Sequence, residues 1–248
     1  MEELLARVAA RMGEDARVTV LTGAGVSAAS GVRTFRDPGG LWHGMRPEEV
    51  ATPEAFACDP RLCWEWYEMR RRQIAACEPN PAHEVIARWA RRRPGFRLVT
   101  QNVDGLHERA GTPGVVRFHG SIWHLSCAGR CAGSPAAWED RRVPLPELPP
   151  VCPACGGIAR PAVVWFGEGI DPRVILAARE AVECEVFLAV GTSAVVFPAA
   201  GMIGEARRAG ALVVEVNPET SAGAGEAQVV LRGGAEVVLP RLDALLPA

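Results

Sequence analysis

Four cysteines are spaced to hold a metal ion. Cys127-x3-Cys131 and Cys152-x2-Cys155 stand twenty residues apart, each close pair offering two thiolates from one turn, which suits tetrahedral zinc. Gly129 and the Gly156-Gly157 pair permit such turns. Two disulfides are the competing arrangement, disfavoured in a chain without a secretion signal. Four thiolates leave no open coordination position, so one structural zinc ion is expected and no metal catalysis. Cys58, Cys63, Cys77 and Cys184 lack paired spacing and read as core or surface residues.

A second group suits a phosphate-bearing ligand. The stretch Thr22-Gly-Ala-Gly-Val-Ser-Ala-Ala-Ser-Gly31 follows a short apolar run. Gly23, Gly25 and Gly31 let the backbone turn sharply and lie close to a ligand. The segment from Val26 can then open a helix whose free N–H groups and dipole face a pyrophosphate. An ordinary tight turn would also explain this stretch taken alone. Further polar clusters stand at Gln101-Asn102-Val103-Asp104, His119-Gly120, Gly191-Thr192-Ser193 and Asn217-Pro218-Glu219. His119 offers an imidazole whose pKa lies near neutrality, as a general base requires.

The elements that would position these groups are legible as apolar, β-branched runs at 18–21, 96–99, 115–118, 163–166, 186–190 and 212–216. Helical patterns at 82–92, 173–182 and 199–209 separate several of them, and a short helix near 242–246 closes the chain. Such alternation predicts an α/β fold with a mostly parallel sheet and helices on both faces. Five of the runs end in one of the five clusters, and in open α/β sheets ligands bind outside the carboxyl ends of strands. Residues 37–80, rich in Trp, Arg and Glu, and 121–160, which carry the paired cysteines, interrupt the alternation. They are expected to form a small domain with a helical module and a zinc module. Residues 1–36, 81–120 and 161–248 would form the large one.

Bulk composition narrows the possibilities. The chain has 248 residues, a net charge of −2 and a pI near 6.2, which argues against direct nucleic-acid binding through phosphate neutralisation. No apolar run approaches a membrane span, and the N-terminus reads as an amphipathic helix, so no membrane association and a cytoplasmic location are expected. A monomer is the expected state. All 27 basic residues are arginine, a bias that codon usage explains. It nonetheless excludes P-loop and Schiff-base chemistry, both of which need lysine.

Taken in order, these blocks, together with Ala51-Thr-Pro53 and Val164-Trp-Phe-Gly-Glu168, resemble those of the sirtuins, NAD-dependent protein deacylases, from about residue 18 to the C-terminus. The resemblance implies a Rossmann-like large domain and NAD as co-substrate. It places the pyrophosphate on Gly23, Ala24, Gly25 and Ser27. Thr34, Phe35 and Arg36 would lie by the nicotinamide ribose, and Trp42 on the loop closing over it. Gln101 would bond the ribose, while Asn102, Val103 and Asp104 would hold the nicotinamide end. Gly191, Thr192, Ser193, Asn217, Pro218 and Glu219 would frame the adenosine, with Ala235 near the adenine. It further implies that the acyl oxygen of a modified lysine attacks C1′ and expels nicotinamide. His119 and Asn102 would be catalytic, with His119 activating a ribose hydroxyl; free lysine and O-acyl-ADP-ribose would result. The acyl-lysine peptide would add as a strand along Val164, Phe166, Gly167 and Glu168.

Tyr67 and Arg70 are three apart within a helical stretch and can share one face. Tyr67 is the chain's one tyrosine. The pair resembles the Tyr-x-x-Arg signature of class III sirtuins, which remove succinyl, malonyl and glutaryl groups. A guanidinium fork and a phenol could hold the terminal carboxylate of such groups. Alternatives are a plain deacetylase, a mono-ADP-ribosyltransferase using the same NAD site, and a non-catalytic NAD-binding zinc module. A dehydrogenase is disfavoured, because this chain lacks the acidic residue expected after a second strand about twenty positions beyond the glycine turn.

Overall fold

The computed structural model describes residues 1–33 and 46–247. Its larger sheet contains β1 (Val18–Thr22), β2 (Phe96–Thr100) and β3 (Val116–Arg117). A smaller sheet follows in the chain, with β4 (Gly120–Cys127), β5 (Trp138–Glu139) and β6 (Ala159–Val163). The chain then returns to the larger sheet through β7 (Val186–Val190), β8 (Leu212–Asn217) and β9 (Val229–Arg232). Strand order in the larger sheet is β3-β2-β1-β7-β8-β9, and every pair is parallel. From β1 the chain first builds outward to one side, then resumes beside β1 on the other. The reversal opens a crevice between the carboxyl ends of β1 and β7, where open α/β sheets bind ligands.

Alternate residues of these strands feed two cores. Val18, Val20, Leu98, Val186 and Leu188 meet α1 (Glu2–Arg11), α5 (Pro81–Arg92) and α9 (Ala235–Asp243). Leu21, Val99, Phe187 and Val213 meet α7 (Pro172–Ala181) and α8 (Gly201–Arg208) on the opposite face. The period of two along each buried strand thus divides one apolar run between two helical layers.

The smaller sheet has order β5-β4-β6 and is antiparallel. Its core is aromatic: Trp64, Trp66, Tyr67, Trp123 and Trp165 cluster with Ile122 and Leu125. Short α2 (Pro47–Val50) and α3 (Pro53–Cys58) lead into α4 (Pro60–Ala75). The Asp59 carboxylate caps α4 by accepting the Leu62 N–H at 2.9 Å, and Pro60 occupies its first position. Cys63, Tyr67, Arg70, Arg71 and Ile74 make its buried face, at the spacing of a helix stripe. Short α6 (Leu106–Arg109) follows the Gln101–Asp104 block.

Four local expectations need correction. The run at 163–166 is not a strand of the parallel sheet, because β6 ends at Val163 and pairs antiparallel with β4. An extra strand, β9, extends the larger sheet; its Val-Val-Leu core is short and hard to distinguish from loop in the sequence. The closing helix lies at Ala235–Asp243, since Ala235, Val238, Leu239 and Leu242 form the buried stripe. The segment after the glycine turn is a 3-10 helix over Ala24–Ser30, ended by Gly31 at φ 87°.

Candidate active site

The crevice is built first from backbone. Gly23 N–H donates to the Val190 carbonyl at 3.1 Å, and Gly25 N–H to the Gly191 carbonyl at 2.8 Å. A Cβ on Gly25 would stand 2.8 Å from the Gly191 Cα, and one on Gly191 would stand 2.4 Å from the Val26 nitrogen. Gly191 also has φ +58°. The turns after β1 and β7 are therefore interlocked. The glycines are required by each other, whereas the sequence suggested only room for a ligand.

Beside this junction lies a cleft of about 1250 Å³. Gly23, Ala24, Gly25, Gly191, Thr192 and Ser193 line it from the two turns, and Asn217, Pro218 and Glu219 from the end of β8. Asn217 Nδ2 donates to the Thr192 carbonyl at 2.9 Å, tying these ends together. Ala235 does not line the cleft. It is buried in the helical core while its neighbours Gly234 and Glu236 face the cleft. Ser27 is also fully buried and acts from behind the wall.

Gln101, Asn102, Val103 and Asp104, after β2, form the next wall. Asn102 Nδ2 donates to the Gly23 carbonyl at 3.1 Å and to Ser27 Oγ at 3.2 Å, leaving its carbonyl oxygen for a ligand. Ser27 Oγ donates to Asp104 Oδ2 at 2.8 Å, and Leu106 N–H donates to Oδ1 at 2.9 Å. Burial raises the Asp104 pKa against the opposing pull of these bonds. Gln101 Nε2 donates to Thr192 Oγ1 at 2.9 Å. The residues expected to bind nicotinamide are thus rigidly braced.

Two histidines that sequence reading set aside do some of that bracing. Asn80 N–H donates to His83 Nδ1 at 3.2 Å, so the proton on Nε2 faces Ser27 Oγ at 3.4 Å. Thr22 Oγ1 gives its proton to Thr100 Oγ1 at 2.8 Å, so His107 Nε2–H donates to Thr22 at 3.0 Å. Burial pushes both imidazoles down to about 3, with their mutual repulsion a further cause at His83. Both are neutral at physiological pH. Only their place between the glycine turn and the Gln101–Asp104 block reveals this role.

His119 stands at the cleft just after β3. Its Nδ1–H donates to the Gln101 carbonyl at 2.9 Å, which leaves the Nε2 lone pair as the basic atom. Burial lowers its pKa, the backbone bond partly opposing, so the neutral base persists below the usual histidine range. Gly120 has φ +80°, and a Cβ there would meet the Ala162 carbonyl oxygen at 2.2 Å. The His-Gly pair is therefore what brings β4 against β6 while presenting the imidazole.

Tyr67 and Arg70 also reach the cleft, from α4. The Tyr67 hydroxyl accepts Trp165 Nε1–H at 2.9 Å, and burial pushes its pKa up to about 12, so its own proton remains to be donated. Arg70 is 7 % exposed, with its guanidinium 4.7 Å from the Trp66 ring centre. Among the described residues no carboxylate pairs with it, and its Nε lacks a hydrogen-bond partner. Burial lowers its pKa. Trp165, which orients Tyr67, stands in the Val164–Glu168 block, but the sequence assigned it no role.

The loop expected to receive peptide lines the cleft at Val164, Phe166, Gly167 and Glu168, but is not a strand. Val164 N–H already donates to the His119 carbonyl and Phe166 N–H to the Ala51 carbonyl, both at 3.0 Å. Arg160 grips Glu168 through two bonds of 2.6 and 2.8 Å. These two N–H groups are therefore already spent and cannot pair with an added strand. Thr34, Phe35, Arg36 and Trp42 lie outside the described residues.

The four paired cysteines converge as expected. Their sulfurs lie within 4.8 Å of one another, with Cys127–Cys155 at 3.7 Å and Cys131–Cys152 at 3.8 Å. A tetrahedron with Zn–S bonds of about 2.3 Å has an edge of about 3.8 Å. The four thiolates fit one structural zinc ion.

The Sir2 family profile matches residues 23–198, which include the interlocked turns, Asn102, Asp104, His119 and all four ligating cysteines. The chain belongs to the Sir2 family. Among sirtuin relatives, an NAD-dependent protein deacylase of Aquifex aeolicus is 48% identical over 207 residues, covering 83% of this chain and 85% of the relative. NAD-dependent protein deacylase 2 of Pyrobaculum aerophilum is 49% identical over 236 residues, covering 95% and 93%. A mutant Sir2 homologue solved with ADP-ribose superposes with a TM-score of 0.88 at 39% identity, covering 99% of this chain and 96% of that one. A Sir2 protein bound to a myristoylated histone peptide gives 0.76 at 31% identity, covering 99% and 97%. Among the described residues of this sirtuin, no helix is long and apolar enough to cross a membrane.

Proposed function

We propose that this sirtuin removes succinyl and malonyl groups, and acetyl groups less readily, from lysine side chains of proteins. The reaction class is NAD-dependent protein deacylation, giving nicotinamide, free lysine and O-acyl-ADP-ribose. The observation that carries the acyl preference is the buried Arg70, which forms no ion pair among the described residues and is flanked by a phenol whose proton is free. Burying a guanidinium without a direct ion-pair partner is costly, and an acyl group ending in a carboxylate lowers that cost when it binds.

NAD, when bound, supplies the ribose C1′ as electrophile and carries the acyl group away. The two interlocked turns offer backbone N–H groups and small side chains to its phosphates, and a similar Sir2 homologue has been solved with ADP-ribose. Asn102 and Asp104 hold the nicotinamide end in one orientation, braced by Ser27. His119 Nε2 removes a proton from a ribose hydroxyl. Its Nδ1–H bond to Gln101 fixes the ring and stabilises the charge acquired. Tyr67 and Arg70 anchor the acyl tail.

The test replaces Arg70 with Met and compares succinyl-lysine and acetyl-lysine peptides of one sequence by nicotinamide release. A charge-assisted bond worth about 1.5–3 kcal/mol predicts a fall of roughly ten- to a hundredfold in kcat/KM for desuccinylation. Deacetylation should fall far less. Equal losses on both peptides overturn the acyl assignment.

A further inference from the structure

Next to Arg70 on α4, Arg71 is fully buried and has no place in the proposed chemistry. Its Nη1 donates to the Ile122 carbonyl at 2.7 Å, and its Nη2 to the carbonyls of Asp140 and Arg142 at 2.7 and 2.9 Å. Ile122 belongs to β4, while Asp140 and Arg142 follow β5, so one guanidinium ties α4 to two segments of the zinc-bearing sheet. Glu68 and Asp140 lie 3.8 and 3.9 Å away and balance its charge.

The same anchor reaches the nicotinamide wall. Arg71 lies 5.0 Å from the ring centre of Trp123, whose Nε1–H donates to the Asp104 carbonyl at 2.5 Å. Ile122 N–H donates to the Val103 carbonyl at 3.0 Å. The start of β4 is therefore gripped by Arg71 on one side and by Val103 and Asp104 on the other.

We infer that Arg71 is a positioning residue for acyl selectivity, its three carbonyl bonds fixing the rotation of α4 so that Tyr67 and Arg70 face the cleft beside Asp104. This rests on Tyr67 and Arg70 holding the acyl carboxylate. Apolar residues fill a core at least as well as a buried ion; what a guanidinium adds is directional bonding. Successive residues on a helix point about 100° apart, so a small rotation of α4 takes Arg70 off the carboxylate. Acetyl-lysine has no carboxylate to lose.

The test uses Arg71→Met and Arg71→Lys in the full chain, with Arg70→Met in parallel. KM and kcat are measured for matched succinyl- and acetyl-lysine peptides and for NAD. Arg71→Met should raise the KM for the succinyl peptide about tenfold. KM for NAD and for the acetyl peptide should stay within about twofold, and kcat should fall less than about threefold. Arg71→Lys, keeping the charge but not the fork, should recover part of the loss. An unchanged succinyl-to-acetyl ratio, or parallel losses on both peptides, overturns the inference. If Arg71→Met does not fold, the ratio in Arg71→Lys decides in the same way. If Arg70→Met leaves the ratio unchanged, the carboxylate reading fails and takes this inference with it. If Arg70→Met shifts the ratio and both Arg71 variants do not, only the positioning role fails.

Discussion

The two halves of the cleft are made of different material. The NAD half is backbone: two glycine turns pressed together at the carboxyl ends of β1 and β7, with short polar side chains braced behind them. The half proposed to hold the acyl group is side chain: Trp66, Tyr67, Arg70 and Trp165 on and around one helix, set against a zinc-bearing sheet. A dinucleotide's phosphates are alike in every turnover, so a backbone cradle can serve them all and tolerates no added atoms. Acyl tails differ, and a helix face of large side chains can be retuned by single substitutions without disturbing that cradle.

The largest effect expected from this contrast is zinc removal. Structural zinc sites supply about 10–16 kcal/mol of apparent binding energy in small domains. Cys152→Ser, or chelation, should release one zinc ion per chain and abolish the near-ultraviolet circular dichroism of the tryptophan cluster. The far-ultraviolet signal of the larger sheet should persist. Simultaneous loss of both signals would show that the halves fold as one unit.

His119→Ala comes next. Removing a general base should lower kcat by about 10²–10⁴ while ADP-ribose affinity, read by calorimetry, changes little. In the intact enzyme the imidazole must be neutral, and burial lowers its pKa. Activity should therefore be lost only as pH falls through a value below 6.5, and a midpoint above 7 would contradict the environment described.

Gly191→Ala should cost about 2 kcal/mol or more, because φ is positive and the new methyl meets the Val26 nitrogen. Gly13→Ala, with open space around it, serves as the near-neutral control in urea denaturation. Similar midpoints for the two would break the interlock argument.

A last effect, absent at neutral pH, is the acid sensitivity of the bracing. His83 and His107 sit near 3 when folded, against an ordinary value of 6.5. Below 6.5 the unfolded chain binds protons that the folded one refuses, so stability falls as pH drops from 6.5 toward 3 and is level above. The slope is about 1.4 kcal/mol per histidine per pH unit. Urea midpoints at pH 7, 6 and 5 test it, and His83→Asn should flatten the dependence.

Much of the NAD half could be read in advance because its parts are local. A β-branched run followed at once by glycines or small polar residues identifies both a strand and its functional end, as at Leu21–Gly23 and Val190–Thr192. The acyl half was legible only at Tyr67 and Arg70, whose helical spacing shows on the chain. Trp165 is 98 residues from Tyr67, and Arg71 bonds carbonyls 51 to 71 residues away. No local pattern announces such partners. Residues 163–166 were misplaced for a related reason: an apolar run reveals that a strand is buried, but not which sheet it joins.

By itself the sequence determined which groups are present and how close neighbours stand: the cysteine pairs, the polar clusters after apolar runs, and the family to which their order belongs. These are properties of bonded distance, set by residue type and spacing along the chain. Tertiary structure alone decided that Gly25 and Gly191 exclude each other's side chains, that two histidines kept neutral by burial brace the Gln101–Asp104 block, and that Arg70 is buried with no ion-pair partner among the described residues. Each of those depends on desolvation and contact between segments far apart in the chain, quantities that come into being only when the core closes.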